Sequence, residues 1–268
     1  MSLTEKTKKL LKHHRIFPSK RLGQNFMVDE GFLHSMVSYA SLSREDVVLE
    51  IGAGSGMLTR VLSQLGGRVI AVEVDRRLVE VLKKELAGLG NVVVIEGDVL
   101  EAAIPEFNKV VANPPFHISS PILFWLLEKR FDLAVLTFQK EFAERLVADV
   151  GSKEYSRLTV ETYYRAEVEL LETVPKEAFF PAPDVDACIV RLKPRSAPPF
   201  SVKNKEVFHE LVRTLFTQRN RKVRNAVAGL LRKMGKSESL ADSLLFHDKR
   251  VRELAPEDFG AIANELAD

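Results

Sequence analysis

Five short apolar, β-branched runs, with stretches of helical spacing among them, decide most of what this chain can fold into. Asp46–Ile51, Arg68–Val74, Val92–Glu96, Lys109–Ala112 and Asp132–Phe138 read as buried strands. Met57–Leu65, Arg76–Leu86 and Ser119–Lys129 carry apolar residues at helical intervals. Strands joined through helices must run parallel, with right-handed crossovers that cover both faces of one sheet. A further helix-like stretch, Lys140–Val150, precedes a change of pattern. Arg165–Val174 and Asp186–Lys193 are strand-like, with only a Pro-containing loop between them. That predicts an antiparallel hairpin ending an otherwise parallel α/β sheet.

Pro194-Arg195-Ser196-Ala197-Pro198-Pro199 is turn-rich and sets the expected domain boundary. Residues 1–195 form the sheet domain, of which 1–29 are a basic leading segment, and 196–268 form a small all-helical domain. In the latter, Val207, Leu211 and Leu215 repeat every four residues, as do Phe208, Val212 and Phe216. Val223, Val227, Leu230 and Leu231 mark a second helix, and Pro256 opens a last one running to Leu266.

The one cysteine, Cys188, excludes an intramolecular disulfide and a cysteine-based zinc cluster. The longest apolar runs, such as 133–138, fall far short of the ~20 residues of a membrane helix. No apolar core follows the charged N-terminus, so a cytoplasmic location is expected. The net charge of +2 conceals an uneven distribution. Residues 1–24 hold seven Lys/Arg against the single acid Glu5, and residues 191–236 hold thirteen against Glu206 and Glu210. An acidic body with two basic segments suggests a polyanionic partner. Arg219, Arg221, Lys222 and Arg224 make one expected phosphate-contacting patch, and Lys8, Lys9, Lys12 and Lys20 a second.

The first strand runs into Glu50-Ile51-Gly52-Ala53-Gly54-Ser55-Gly56 and then a helix. Such a turn lets a ligand approach the backbone closely. The dinucleotide pattern G-x-G-x-x-G fails, because its third glycine would fall on Met57 or Thr59. A pyrophosphate is therefore disfavoured. Glu73 ends the second strand about 20 residues after the first glycine, the distance at which a carboxylate accepts both ribose hydroxyls. Asp98, beside Val99, ends the third at the same edge of the sheet. A sulfonium ligand with a ribose and an adenine but no phosphate suits this set.

The fourth strand ends in Asn113-Pro114-Pro115-Phe116. An exocyclic aromatic amine is a poor nucleophile because its lone pair is delocalised. Acceptors aimed at its hydrogens help the nitrogen become tetrahedral. The side-chain oxygen of Asn113 and the carbonyl of Pro114 suit that task, and Phe116 offers a face for the base, worth ~1–3 kcal/mol. No strong base is required, since the amine becomes acidic only after it attacks. His117 is accordingly read as a positioning or surface residue.

These blocks, with Arg21–Phe26, Gln139–Ala143, Val174–Leu192 and Leu215–Asn225, resemble the KsgA-type rRNA adenine dimethyltransferases, archaeal/eukaryotic-like, and the related erythromycin-resistance methyltransferases. The resemblance implies a Rossmann-like class I methyltransferase domain with S-adenosylmethionine as donor. It implies two adjacent adenosines near the 3′ end of small-subunit rRNA as target; the immature small subunit is the expected partner, and a monomer without metal is expected. By the same likeness Gln24 and Asn25 close over the donor, Gly52 and Gly54 form its turn, Glu73 takes the ribose, and Asp98 with Val99 the adenine. Asn113, Pro114 and Phe116 are catalytic, and Phe179 is a second aromatic against the target base. The family usually has Asn-Leu-Pro-Tyr where this chain has Asn113-Pro114-Pro115-Phe116, the form of DNA adenine methyltransferases. Two other readings stand beside it: a DNA adenine N6-methyltransferase, and a non-catalytic RNA-binding assembly factor.

Overall fold

In the computed structural model, which describes residues 1–267, the apolar runs are strands and the periodic stretches are helices. In chain order these are α1 (Leu3–His13), β1 (Phe26–Met27), α2 (Glu30–Ala40), β2 (Val47–Ile51), α3 (Met57–Leu65), β3 (Arg68–Glu73), α4 (Arg76–Glu85), β4 (Val92–Glu96), β5 (Lys109–Ala112), α5 (Ser119–Leu127) and β6 (Leu133–Gln139). There follow α6 (Lys140–Leu146), α7 (Arg157–Arg165), β7 (Ala166–Val174), β8 (Phe179–Phe180) and β9 (Ala187–Pro194). The remaining helices are α8 (Lys205–Phe216), α9 (Val223–Ala226), α10 (Ala228–Lys233) and α11 (Pro256–Ala267).

Seven strands form one sheet in the order β4-β3-β2-β5-β6-β9-β7. The pairs among β4, β3, β2, β5 and β6 are parallel, and β9 is antiparallel to β6, with Ala134 opposite Leu192 and Gln139 opposite Ala187. This is the Rossmann-like arrangement that the sequence predicts, a mostly parallel sheet closed by an antiparallel strand. Its central strands are covered on both faces, which is why they read as unbroken apolar runs. Val48, Leu49, Val69, Ile70, Val110, Val111, Val135 and Leu136 are all fully buried, each contributing about 1.5–3 kcal/mol. Helix α2 seats Met36, Val37 and Ala40 against β5 and β6, and starts where the Asp29 carboxylate accepts the N–H groups of Gly31 and Phe32. Strand order reverses direction between β2 and β5. Their C-terminal loops therefore diverge, opening the crevice where ligands bind in such sheets.

A small antiparallel ribbon pairs β1 with β8, Phe26 opposite Phe180 and Met27 opposite Phe179. Successive pairs point to opposite faces. Met27 and Phe179 join the core of the large sheet, while Phe26 and Phe180 pack with Leu11 of α1, Ile16, and Leu78 and Val81 of α4.

The chain divides into two units, Met1–Ala143 with Glu169–Pro194, and Glu144–Val168 with the residues from Arg195 onward. The stretch 144–168, assigned from the sequence to the sheet domain, thus belongs to the helical unit. The reason is its apolar content: Tyr155, Val160 and Tyr164 are buried among Phe208, Leu211, Val212 and Phe259 of α8 and α11. The Tyr155 hydroxyl donates to the Leu254 carbonyl at 2.8 Å. The second helix expected over 223–231 is broken at Val227 into α9 and α10.

Candidate functional site

The loops after β2, β3, β4 and β5 open at one edge of the sheet, and the segment 22–27 crosses in front of them. One cavity is lined by Gln24, Asn25, Gly52, Gly54, Glu73, Asp98, Val99 and Asn113. Eight residues from five places in the sequence are thereby gathered around one space. Pro114, Phe116 and Phe179 are not part of that wall.

The turn after β2 needs its glycines. Gly52 and Gly54 have φ of +75° and +55°, where a side chain is strained, and a Cβ on Gly54 would stand 2.9 Å from the Phe26 ring. The turn is tied to β3 through Glu73. Its Oε2 accepts the Gly54 N–H and its Oε1 the Asp75 N–H, both at 2.9 Å. Burial pushes the Glu73 carboxyl above its ordinary value, opposed by those N–H groups. Asp75 caps α4 and accepts from Arg77, whose guanidinium holds its carboxyl below the usual range. Gln24 donates to Asp75 at 2.9 Å and accepts the Ser19 N–H at 2.7 Å, so its amide is anchored on both sides. Asp98 is exposed, and its Oδ1 accepts the Leu100 N–H; Val99 beneath it is buried.

Asn113 is held from two directions. Its Nδ2 donates to the Asn25 carbonyl at 3.0 Å, and its Oδ1 accepts the hydroxyl of Thr137. The donated bond fixes which end of the amide is oxygen, and Oδ1 keeps a second lone pair. Thr137, fully buried on β6, escaped sequence reasoning: it lies 24 residues from Asn113, and only the pairing of β5 with β6 joins them. Phe116 and Phe179 meet edge to face, centroids 5.9 Å apart. Phe179 is buried, so a base enters between the rings only once they part. His117 is exposed and stands over Gly23.

Glu50, quoted in the turn motif without a role, is the other residue missed. It lines the cavity, is 1% exposed, and its Oε2 has no hydrogen-bond partner among the described residues. Burial pushes its carboxyl up to about 8, with the Thr59 hydroxyl acting the other way and the nearby Glu73 adding to the rise. Two buried carboxyls, one with an unsatisfied oxygen, fit a ligand that brings positive charge and hydroxyl donors. A sulfonium carrying a ribose and an amino group is such a ligand.

Among the four basic residues expected to meet phosphate, Arg219 donates to the carbonyls of Ser152 and Lys153. Lys222 and Arg224 share Asp248, at 2.8 and 3.2 Å. Arg221 is exposed.

The family model for ribosomal RNA adenine dimethylases matches residues 18–268. The chain belongs to that family. It is 51% identical over 213 residues to a probable ribosomal RNA small subunit methyltransferase A of Methanopyrus kandleri, covering 79% of this chain and 77% of the relative. To the protein so named from Methanosarcina acetivorans it is 45% identical over 249 residues, 91% and 92% of the two chains. Among solved structures, a dimethyladenosine transferase from Plasmodium falciparum superposes with a TM-score of 0.78 at 30% identity, over 89% of this chain and 96% of that one. The 23S rRNA methyltransferase ErmE does so at 0.69 and 29%, over 91% and 100%. The dimethylase family sets aside the DNA reading suggested by Pro114 and Phe116 and the non-catalytic reading. The chain is an S-adenosylmethionine-dependent rRNA adenine dimethyltransferase.

Proposed function

We propose that this dimethylase modifies N6 of two adjacent adenosines near the 3′ end of small-subunit rRNA, in the immature subunit, as a cytoplasmic monomer. The observation that carries the site assignment is the clamped amide of Asn113. When bound, S-adenosylmethionine supplies an electrophilic methyl group on a sulfonium. Glu73 takes the ribose hydroxyls, and Asp98 and Val99 bracket the adenine. Gly52 and Gly54 let the donor lie against the backbone, with Gln24 and Asn25 closing in front.

On the acceptor side, the Asn113 oxygen and the Pro114 carbonyl accept the two N6 hydrogens of the adenine. Localising the lone pair on nitrogen lets it form the N–C bond as the S–C pair withdraws to sulfur. The attacking nitrogen then carries positive charge, and its proton leaves readily to water. Phe116 and Phe179 part to take the flipped base. Phe116 lacks a phenolic hydroxyl, so the base is held here by stacking and by the two acceptors. In the helical unit Arg221, with Arg219, Lys222 and Arg224 beside it, meets RNA phosphate.

The test is incubation with immature small subunits and labelled donor, followed by mapping of the modified nucleotides. Wild type is expected to label two neighbouring adenosines. Asn113→Ala is expected to retain donor binding and lose turnover, because its acceptor acts as the amine rehybridises. A near wild-type single-turnover rate in that variant refutes the role given to Asn113.

A further inference from the structure

The leading basic segment behaves differently from the basic patch of the helical unit. Helix α1 buries Leu3, Thr7 and Leu11, spaced four apart, with Leu10 partly buried beside Leu11, so one narrow side is seated and the lysines face solvent. Lys8, Lys9 and Lys12 project from the exposed side, and Arg15, Lys20 and Arg21 follow in the turn; all six are exposed. Lys6 pairs with Glu30, but none of those six has a carboxylate within ion-pair distance among the described residues. In the patch around Arg219, by contrast, three of four cations are already engaged. Unpaired exposed cations are free to neutralise phosphates and so release the counterions condensed on a nucleic acid.

Amid these cations stands Phe17, 80% exposed. Its neighbours hold it out: Ile16 is buried against Leu11 and Phe26, Arg15 takes a positive φ of 54°, and Pro18 stiffens the exit. An exposed aromatic face among unpaired cations is the combination that binds single-stranded nucleic acid. The surface lies against the β1–β8 ribbon that carries Phe179 on its other face: the Lys8 ammonium lies 4.8 Å from the centroid of Phe180, whose ring packs away from Phe179 and Phe116. Residues 1–17 precede the stretch matched by the family model.

We propose that α1 and the turn after it form an RNA contact on the sheet unit that takes the single strand flanking the target adenosine. Lys9, Lys12 and Arg15 hold its phosphates and Phe17 stacks on an unpaired base. The inference rests on the reading of the pocket as an rRNA adenosine site and adds the path of the neighbouring strand.

The probe is a single-stranded RNA oligonucleotide containing two adjacent adenosines, titrated against the full-length protein at several salt concentrations. The triple variant Lys9→Gln, Lys12→Gln, Arg15→Gln is expected to bind more weakly, its log–log salt slope smaller by about 2, at ~0.7 per phosphate contact on a single strand. Phe17→Ala is expected to lose at least about fivefold in affinity with the slope unchanged, and Phe17→Trp to restore it. Melting temperature and donor affinity stay at wild-type values in all three. Wild-type affinity and slope in both the triple variant and Phe17→Ala overturn the proposal, as does a lowered melting temperature with an unchanged slope. Methylation of immature subunits by wild type is measured alongside. Its absence there counts against the function, whereas the comparison of variants judges the surface.

Discussion

Glu50→Gln makes the buried carboxyl of β2 a quantitative probe of the cavity at the strand ends. Glu50 has a folded value of about 8 against 4.5 in an unfolded chain. Between those limits the native state holds a proton that the unfolded state has released. Stability from this group is therefore fully present below 4.5 and is lost as pH rises through about 8, at ~1.4 kcal/mol per pH unit. From pH 5 to pH 7.5 the wild type should lose on the order of 3 kcal/mol relative to a glutamine that never ionises. Glu73, also buried and raised, drifts in the same direction in both proteins, and its charge is one of the causes of the rise at Glu50. Trp125, the only tryptophan, sits on α5 in the sheet unit, so its emission during urea unfolding follows that unit. In donor-free protein the two midpoints should nearly coincide at pH 5. By pH 7.5 the variant should be more stable by ~3 kcal/mol, or several degrees in melting temperature. Parallel stability curves across that range would show that water or a rearranged side chain solvates Glu50, and the reasoning from its burial would be wrong.

Thr137→Val keeps the shape of the buried residue and removes the hydroxyl donated to Asn113, an exchange of about 1 kcal/mol, hence roughly fivefold, expected in kcat with KM and donor affinity unchanged. Thr137→Ser should restore the rate, and a valine variant with wild-type kcat would show that the amide needs no second anchor. Glu73→Ala removes the acceptor of two backbone N–H groups and the carboxylate proposed to take the donor's ribose, so donor affinity measured by calorimetry should fall more than tenfold; unchanged affinity in a folded variant refutes the assignment.

The central strands were legible because burial on both faces leaves no room for polar residues; Val92–Glu96, read as buried, is instead the partly exposed edge strand β4, with Val93 open to solvent. The residues of the cavity were legible for a related reason: each closes a strand at the same edge, so the order of strands alone brings Gly52, Glu73, Asp98 and Asn113 together. Helix α1 was not read because its seated side is narrow, Leu3, Thr7 and Leu11 with Leu10 at its margin, in a lysine-rich stretch that looks like a solvated tail. Helix α7 was missed because Thr159, Thr162, Tyr163 and Tyr164 are weak helix formers, and burial against α8 and α11 overrides their preference. Thr137 and Glu50 owe their significance to pairing and depth, which no local pattern carries.

The chain passes from the sheet unit into the helical one at Glu144, comes back at Glu169, and leaves again at Arg195. Neither unit is a contiguous stretch, and that governs how the protein is made and cut. A nascent chain ending before Glu169 has β6 as an open sheet edge, because β9, which pairs along its length, has yet to be synthesised. The helical unit in turn holds Tyr155, Val160 and Tyr164 in waiting until α8 and α11 emerge. Cleavage at the proline-rich linker would not release two modules. It would leave α7 attached to the wrong piece, its apolar side exposed, and strip the other of part of its core. The two units are inherited, expressed and lost together.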